Sequence, residues 1–95
     1  MLKKEREKMM DKISDYVSDV FNDPYFRWTG REISNATGIT ESRISSYKNR
    51  SAYNFMVTES HLKSMINAGV LDLKYVLRNS NLNSVEKAYL RGICG

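Results

Sequence analysis

Ninety-five residues bound the chain to one folding unit, residues 1–95, because a core of this size leaves no material for a second. With 41% hydrophobic and 27% charged residues, one proline and five glycines, the composition is that of a globular, helix-tolerant domain and excludes a disordered tail. The formal charge of +4 suits a polyanionic partner without requiring one. The lone Cys94 and the lack of any apolar run of about 18 residues point to a reduced, cytoplasmic protein with no membrane segment.

Residues 3–22 read as one helix, charged at first and then apolar at Ile13, Tyr16, Val17, Val20 and Phe21, the stripe of a segment that packs its second half on a core. Pro24 ends it, and Tyr25, Phe26 and Trp28 follow as a partly buried aromatic linker. Thr29-Gly30-Arg31-Glu32 has the form of a capping box and starts a second helix running to about Thr37. Gly38 suits the left-handed residue past its end, and Thr40 suits the N-cap of a third helix over Glu41–Asn49, with Ile44 and Tyr47 facing inward.

The run 51–57 alternates Tyr53, Phe55 and Val57 with other residues, as a short strand or an extended loop would, and is read as a loop. Its aromatic residues either fold back on the core or form a patch for a second subunit. Thr58 caps a fourth helix that carries Leu62, Met65 and Ile66 to Gly69; Leu71 to Arg78 gives a fifth with Leu73, Val76 and Leu77 inward. Asn83 and Glu86 cap a last helix holding Val85, Tyr89, Leu90 and Ile93. The expected fold is all-α: a bundle of five to six helices with a helix-turn-helix at about 29–50 and C-terminal helices at about 58–93.

From Ser42 to Thr58 the chain carries Arg43, Lys48 and Arg50 and no acid, whereas Asp15, Asp19 and Asp23 lie together earlier, so one face is expected to be positive. Two short helices joined by a three-residue turn have the form of a helix-turn-helix, whose second helix lies in the major groove. The segment from Ile33 to Tyr47, with Ile33, Ser34, Gly38, Ile39, Ile44 and Tyr47 in order, resembles the helix-turn-helix of the lambda Cro and repressor (XRE-like) family. It departs from that pattern at Ser34, where Ala is commoner, at Arg50, where Gly often follows the recognition helix, and in the long connection from Arg50 to Thr58.

The resemblance implies that Thr40, Glu41, Ser42, Arg43, Ser45 and Ser46 face the groove. Chemically, Arg43 suits guanine O6 and N7, Glu41 a cytosine amino group, and the serines base edges or phosphates. Thr29, Arg31, Lys48, Asn49, Arg50 and Ser51 are placed for phosphates, with Tyr53 beside them. The function expected is sequence-specific binding of double-stranded DNA by a transcriptional regulator, read as a repressor, in the cytoplasm of a bacterial or phage-infected cell. A homodimer on a pseudo-palindromic operator is expected, since one reader of this size touches few base pairs; the last helix and the aromatic loop are the candidate dimer contacts.

The alternative is a protein-interaction module or small inhibitor that keeps the fold without reading DNA. No enzyme, cofactor, metal site or small-molecule substrate is expected: one His, one Cys and no phosphate-binding loop supply no catalytic arrangement. His61 has no ligand partner at metal spacing, Cys94 reads as an inert thiol, and the aromatic stacking signatures of RNA readers are missing.

Overall fold

A computed structural model describes residues 1–95. The chain forms six helices and no strand: α1 (Lys3–Phe21), α2 (Gly30–Thr37), α3 (Glu41–Lys48), α4 (Glu59–Asn67), α5 (Leu73–Asn79) and α6 (Ser84–Cys94). The radius of gyration, 12.5 Å, is that of one close-packed unit of this length, about 12 Å. No helix is long and apolar enough to cross a membrane.

The longest helix, α1, is the post on which the rest is hung. Its Ile13, Val17 and Phe21 are buried as the stripe requires, but burial begins earlier, at Met9 and Met10. The charged first half therefore contributes to the core as well, because Met9 and Met10 continue the same stripe one turn toward the N-terminus. Helix α3 packs on α1 and α2, α2 also meets α4, and α5 and α6 pack on each other as well as on α1 and α4 respectively. The shared core gathers Ile33, Ile39, Ile44, Tyr47, Leu62, Met65, Val76 and Leu90 around the α1 stripe.

Between the apolar positions of α1 runs a second, polar stripe. Ser14 and Ser18 are buried and Asn22 follows one turn later, at the i, i+4, i+8 spacing that keeps side chains on one face. The Ser14 hydroxyl donates to the Met10 carbonyl at 2.6 Å and accepts from the Val57 amide at 2.8 Å. The Lys48 carbonyl accepts from Ser18 Oγ at 3.1 Å and Asn22 Nδ2 at 2.8 Å. The segment between α3 and α4 is thus clamped by α1 at both ends. It is a loop of turns: Tyr53 stands fully in solvent, Phe55 is half-buried, and Met56 is half-buried against the core.

Several expectations need correction. Of the aromatic linker, Phe26 stacks on Phe21 with ring centroids 5.1 Å apart and Trp28 is half-buried, but Tyr25 is exposed. Helix α3 stops at Lys48, since Asn49 has turned to an extended backbone with its amide bonded to Ser46. Helix α5 starts at Leu73, not Leu71, because the Asp72 side chain accepts from the Lys74 amide and serves as N-cap. Leu71 is buried ahead of it, in the turn after Gly69, whose φ of +81° reverses the chain so that the Val70 amide reaches the Met65 carbonyl at 2.9 Å.

On α6, Val85 points to solvent, and Glu86 is buried along with Leu90. The Glu86 carboxylate accepts from Lys12 Nζ at 2.8 Å and from the Asn83 amide at 2.9 Å. Leu90 is fully buried in its own core and has no surface left for a second subunit.

Burial alone would raise the Glu86 pKa, but hydrogen bonds from Lys12 and Asn83, with the charges of Lys12 and Lys8, hold it below the usual carboxylate range. A depressed folded pKa means that this stability is present above the unfolded value, about 4.3, and is lost as the pH falls through the folded one. Urea unfolding between pH 7 and 3 should show a loss that Lys12→Met largely abolishes; at neutral pH that variant should cost about 1–2 kcal/mol, discounted because Lys12 remains a third exposed. Ser14→Ala orphans the Val57 amide and should cost about 1–3 kcal/mol, read as a lower thermal midpoint; an unchanged midpoint would show that the clamp holds nothing.

Candidate nucleic-acid interface

The two helices of the motif are fixed at both ends by their own sequence. The Glu32 amide donates to Thr29 Oγ1 at 3.1 Å and the Thr29 amide to Glu32 Oε1 at 2.9 Å, closing the capping box. Gly38 ends α2 at φ +80°, a left-handed backbone that costs an L side chain strain. The turn is then tied down by Thr37, whose hydroxyl donates to the Ile33 carbonyl at 2.7 Å and accepts from the Ile39 amide at 3.1 Å. Thr40 caps α3 by accepting from the Arg43 amide at 3.2 Å.

Ile33, Ile39, Ile44 and Tyr47 are buried, so the opposite side of α3 is the side left outside. Thr40, Glu41, Ser42 and Ser45 are exposed there, with Arg43 and Ser46 half-exposed. Six of the residues singled out from the sequence therefore lie on or beside one short helix. Gly30, which the sequence reading used only as part of the capping box, sits over Ile44, where an added Cβ would meet the Ile44 side chain at 4.0 Å.

The electrostatics differ from the expected positive face. Arg31 is exposed at the start of α2, and its Nε lies 3.5 Å from Glu41. Arg50 pairs with Asp15 and Asp19 of α1 and donates to the Asp15 carbonyl at 2.9 Å. Asp15 and Asp19 do not form a separate acidic zone, because packing α3 on α1 brings them onto the base that follows α3. Of the phosphate candidates, Lys48 keeps its ammonium free of any ion pair; Thr29 and Asn49 use their side chains as local caps, Asn49 accepting from the Ser51 amide at 3.0 Å, and Ser51 is exposed.

Arg43 is held in a relay that the sequence reading missed. Its Nε donates to Tyr47 Oη at 3.2 Å, its guanidinium lies 5.4 Å from the Tyr47 ring centroid, and Tyr47 Oη is 2.6 Å from His61 Nδ1. The Tyr47 oxygen accepts from Arg43 and also hydrogen-bonds His61 Nδ1; Tyr47 is the donor in that second bond when His61 carries its hydrogen on Nε2. Burial, and then the Arg43 charge, lower the His61 pKa. A fully buried tyrosine needs a partner for its hydroxyl, and that requirement was the available signal; which residue fourteen positions away would answer it was not.

No cluster of three His, Cys, Asp or Glu gathers anywhere in the fold. Burial pushes the Cys94 thiol up, away from the thiolate a nucleophile needs. No protein-family model matches the chain, and neither a curated protein nor a solved structure matches it. What the arrangement offers chemically is a polar, donor-rich helix face held rigidly from behind.

The relay has a measurable signature. His61 should titrate below its ordinary value of about 6.5 by NMR, and Arg43→Ala should move it upward by removing a neighbouring positive charge. A lowered folded pKa places the associated stability above the unfolded value, to be lost as pH falls below it. A His61 that titrates normally and ignores Arg43→Ala would contradict the geometry.

Proposed function

We propose that the chain binds duplex DNA sequence-specifically through α3 and acts as a transcriptional repressor of the lambda Cro and repressor type, as a homodimer on an operator. The observation that carries this reading is the polar side of α3 from Thr40 to Ser46, left outside while Ile44 and Tyr47 lock the opposite side into the core. In this reading Arg43 addresses a guanine, Glu41 a cytosine amino group, and Ser42, Ser45 and Ser46 base edges or phosphates. Thr29, Arg31, Lys48, Asn49 and Ser51 line the flanking backbone. Arg50 braces α3 against α1 and contributes positioning instead of a free charge.

The relay gives Arg43 a defined starting position. An arginine stacked on Tyr47 has already lost part of its rotamer freedom, so less remains to be lost on meeting a base. Two observations favour the alternative of a protein-interaction module: Glu41 faces Arg31, and Arg50 is neutralised by α1, both of which weaken attraction to a polyanion.

Selection of bound duplexes from a random pool, at stated salt, separates the two. The DNA reading expects an inverted repeat with half-sites about one helical turn apart. Arg43→Ala should blur one position at a cost of about 1–3 kcal/mol, whereas Lys48→Ala should weaken all sequences alike and lower the salt slope by about one. No enriched sequence, or a monomer by sedimentation both with and without DNA, would move the assignment to the interaction module.

A further inference from the structure

Away from α3, helices α5 and α6 enclose an open groove of about 790 Å³. Leu73 and Leu77, half-buried against the core, form its apolar lining; Lys74, Arg78, Lys87 and Arg91 are its charged side chains, with no Asp or Glu side chain among them, and Gly95 also lines it. The order is regular: Lys74 and Arg78 are four apart on α5, Lys87 and Arg91 four apart on α6, and Leu73 and Leu77 four apart on α5. Each helix thus presents one turn-spaced pair of cations.

None of the four cations has an ion-pair partner; Arg78 stacks instead on the ring of Tyr75, 5.7 Å from its centroid. Helix electrostatics explain the two arginines, which sit in the last turns of their helices, where positive charge is favourable. They do not explain Lys74, in the first turn of α5, where a cation is disfavoured. Four like charges gathered around an apolar strip repel one another and are relieved by an anionic occupant.

We infer that the α5–α6 groove is a docking site for an acidic amphipathic helix of a partner protein, its apolar stripe on Leu73 and Leu77 and its carboxylates on the two basic pairs. Charge complementarity selects the sign of the partner, and the paired spacing suits a helix: carboxylates four residues apart rise about 6 Å along its axis, the same rise as that between the cations of each pair on its own helix. The groove is open along its length, which suits a helix laid in it better than a small molecule that needs enclosure. The elements that build it are distinct from α2 and α3, so a helix-turn-helix occupied with DNA would leave it accessible.

The test is fluorescence anisotropy of the full chain with a labelled synthetic helical peptide of about five turns, carrying Glu at four-residue spacing beside a Leu stripe. Saturable binding is expected, weakening about tenfold in Lys74→Glu/Arg91→Glu, weakening also when Gln replaces Glu in the peptide, and shifting amide resonances of residues 73–78 and 87–91 by NMR. These side chains line the surface, so the thermal midpoint should hold; Arg78→Gln/Lys87→Gln is the second variant should the first fail to fold. Equal binding of the Gln peptide, indifference to both variants, or a duplex DNA affinity that falls as far as the peptide's would overturn the inference. Peptide binding by a chain that selects no duplex would support it while removing the DNA reading.

Discussion

The position of α3 depends on three short polar side chains set four residues apart on α1. Ser18 and Asn22 take the carbonyl at the end of α3, and Ser14 takes the amide of Val57 just before α4 begins. A carbonyl at a helix end and an amide at a loop end are the groups that burial would otherwise leave unsatisfied. Satisfying them from a neighbouring helix converts a local necessity into a long-range constraint. The apolar contacts of Ile44 and Tyr47 press α3 inward; these hydrogen bonds decide where along α1 it stops.

That seating shapes the surface that α3 presents. It draws Asp15 and Asp19 onto Arg50, so the base that follows α3 becomes a strut. It also leaves the Tyr47 hydroxyl facing α4, where it hydrogen-bonds His61, while Arg43 lies over the ring. The exposed polarity of α3 is consequently ordered in part from beneath, through the buried Tyr47 and its contact with His61.

The boundaries of α2 and α3 were legible because each is written in adjacent residues: Thr29 with Glu32, Gly38, and Thr40. Such caps act within one turn and need no knowledge of the rest of the chain. The all-α bundle of five to six helices followed from the same local signals, and the structure has six. What escaped the sequence lies in pairs far apart along it, Ser14 with Val57, Ser18 with Lys48, and Lys12 with Glu86, 43, 30 and 74 positions apart. A serine on an apolar stripe reads as a weak helix former until the group it satisfies is known. Glu86 was legible as a cap residue, but its burial was not, because that rests on Lys12 as well as on the neighbouring Asn83.

The clamp on both ends of the α3–α4 connection also makes the stretch around Tyr53 thermodynamically independent of its surroundings. Extra residues inserted there would add only the slowly growing entropy of closing a longer loop, since the anchor points at Lys48 and Val57 are held by side chains of α1. The crown of this loop is therefore a place where the chain can be lengthened, carry a spectroscopic label or accept a protease site while the helix before it stays where it is. In experimental terms it is the handle by which the protein can be held.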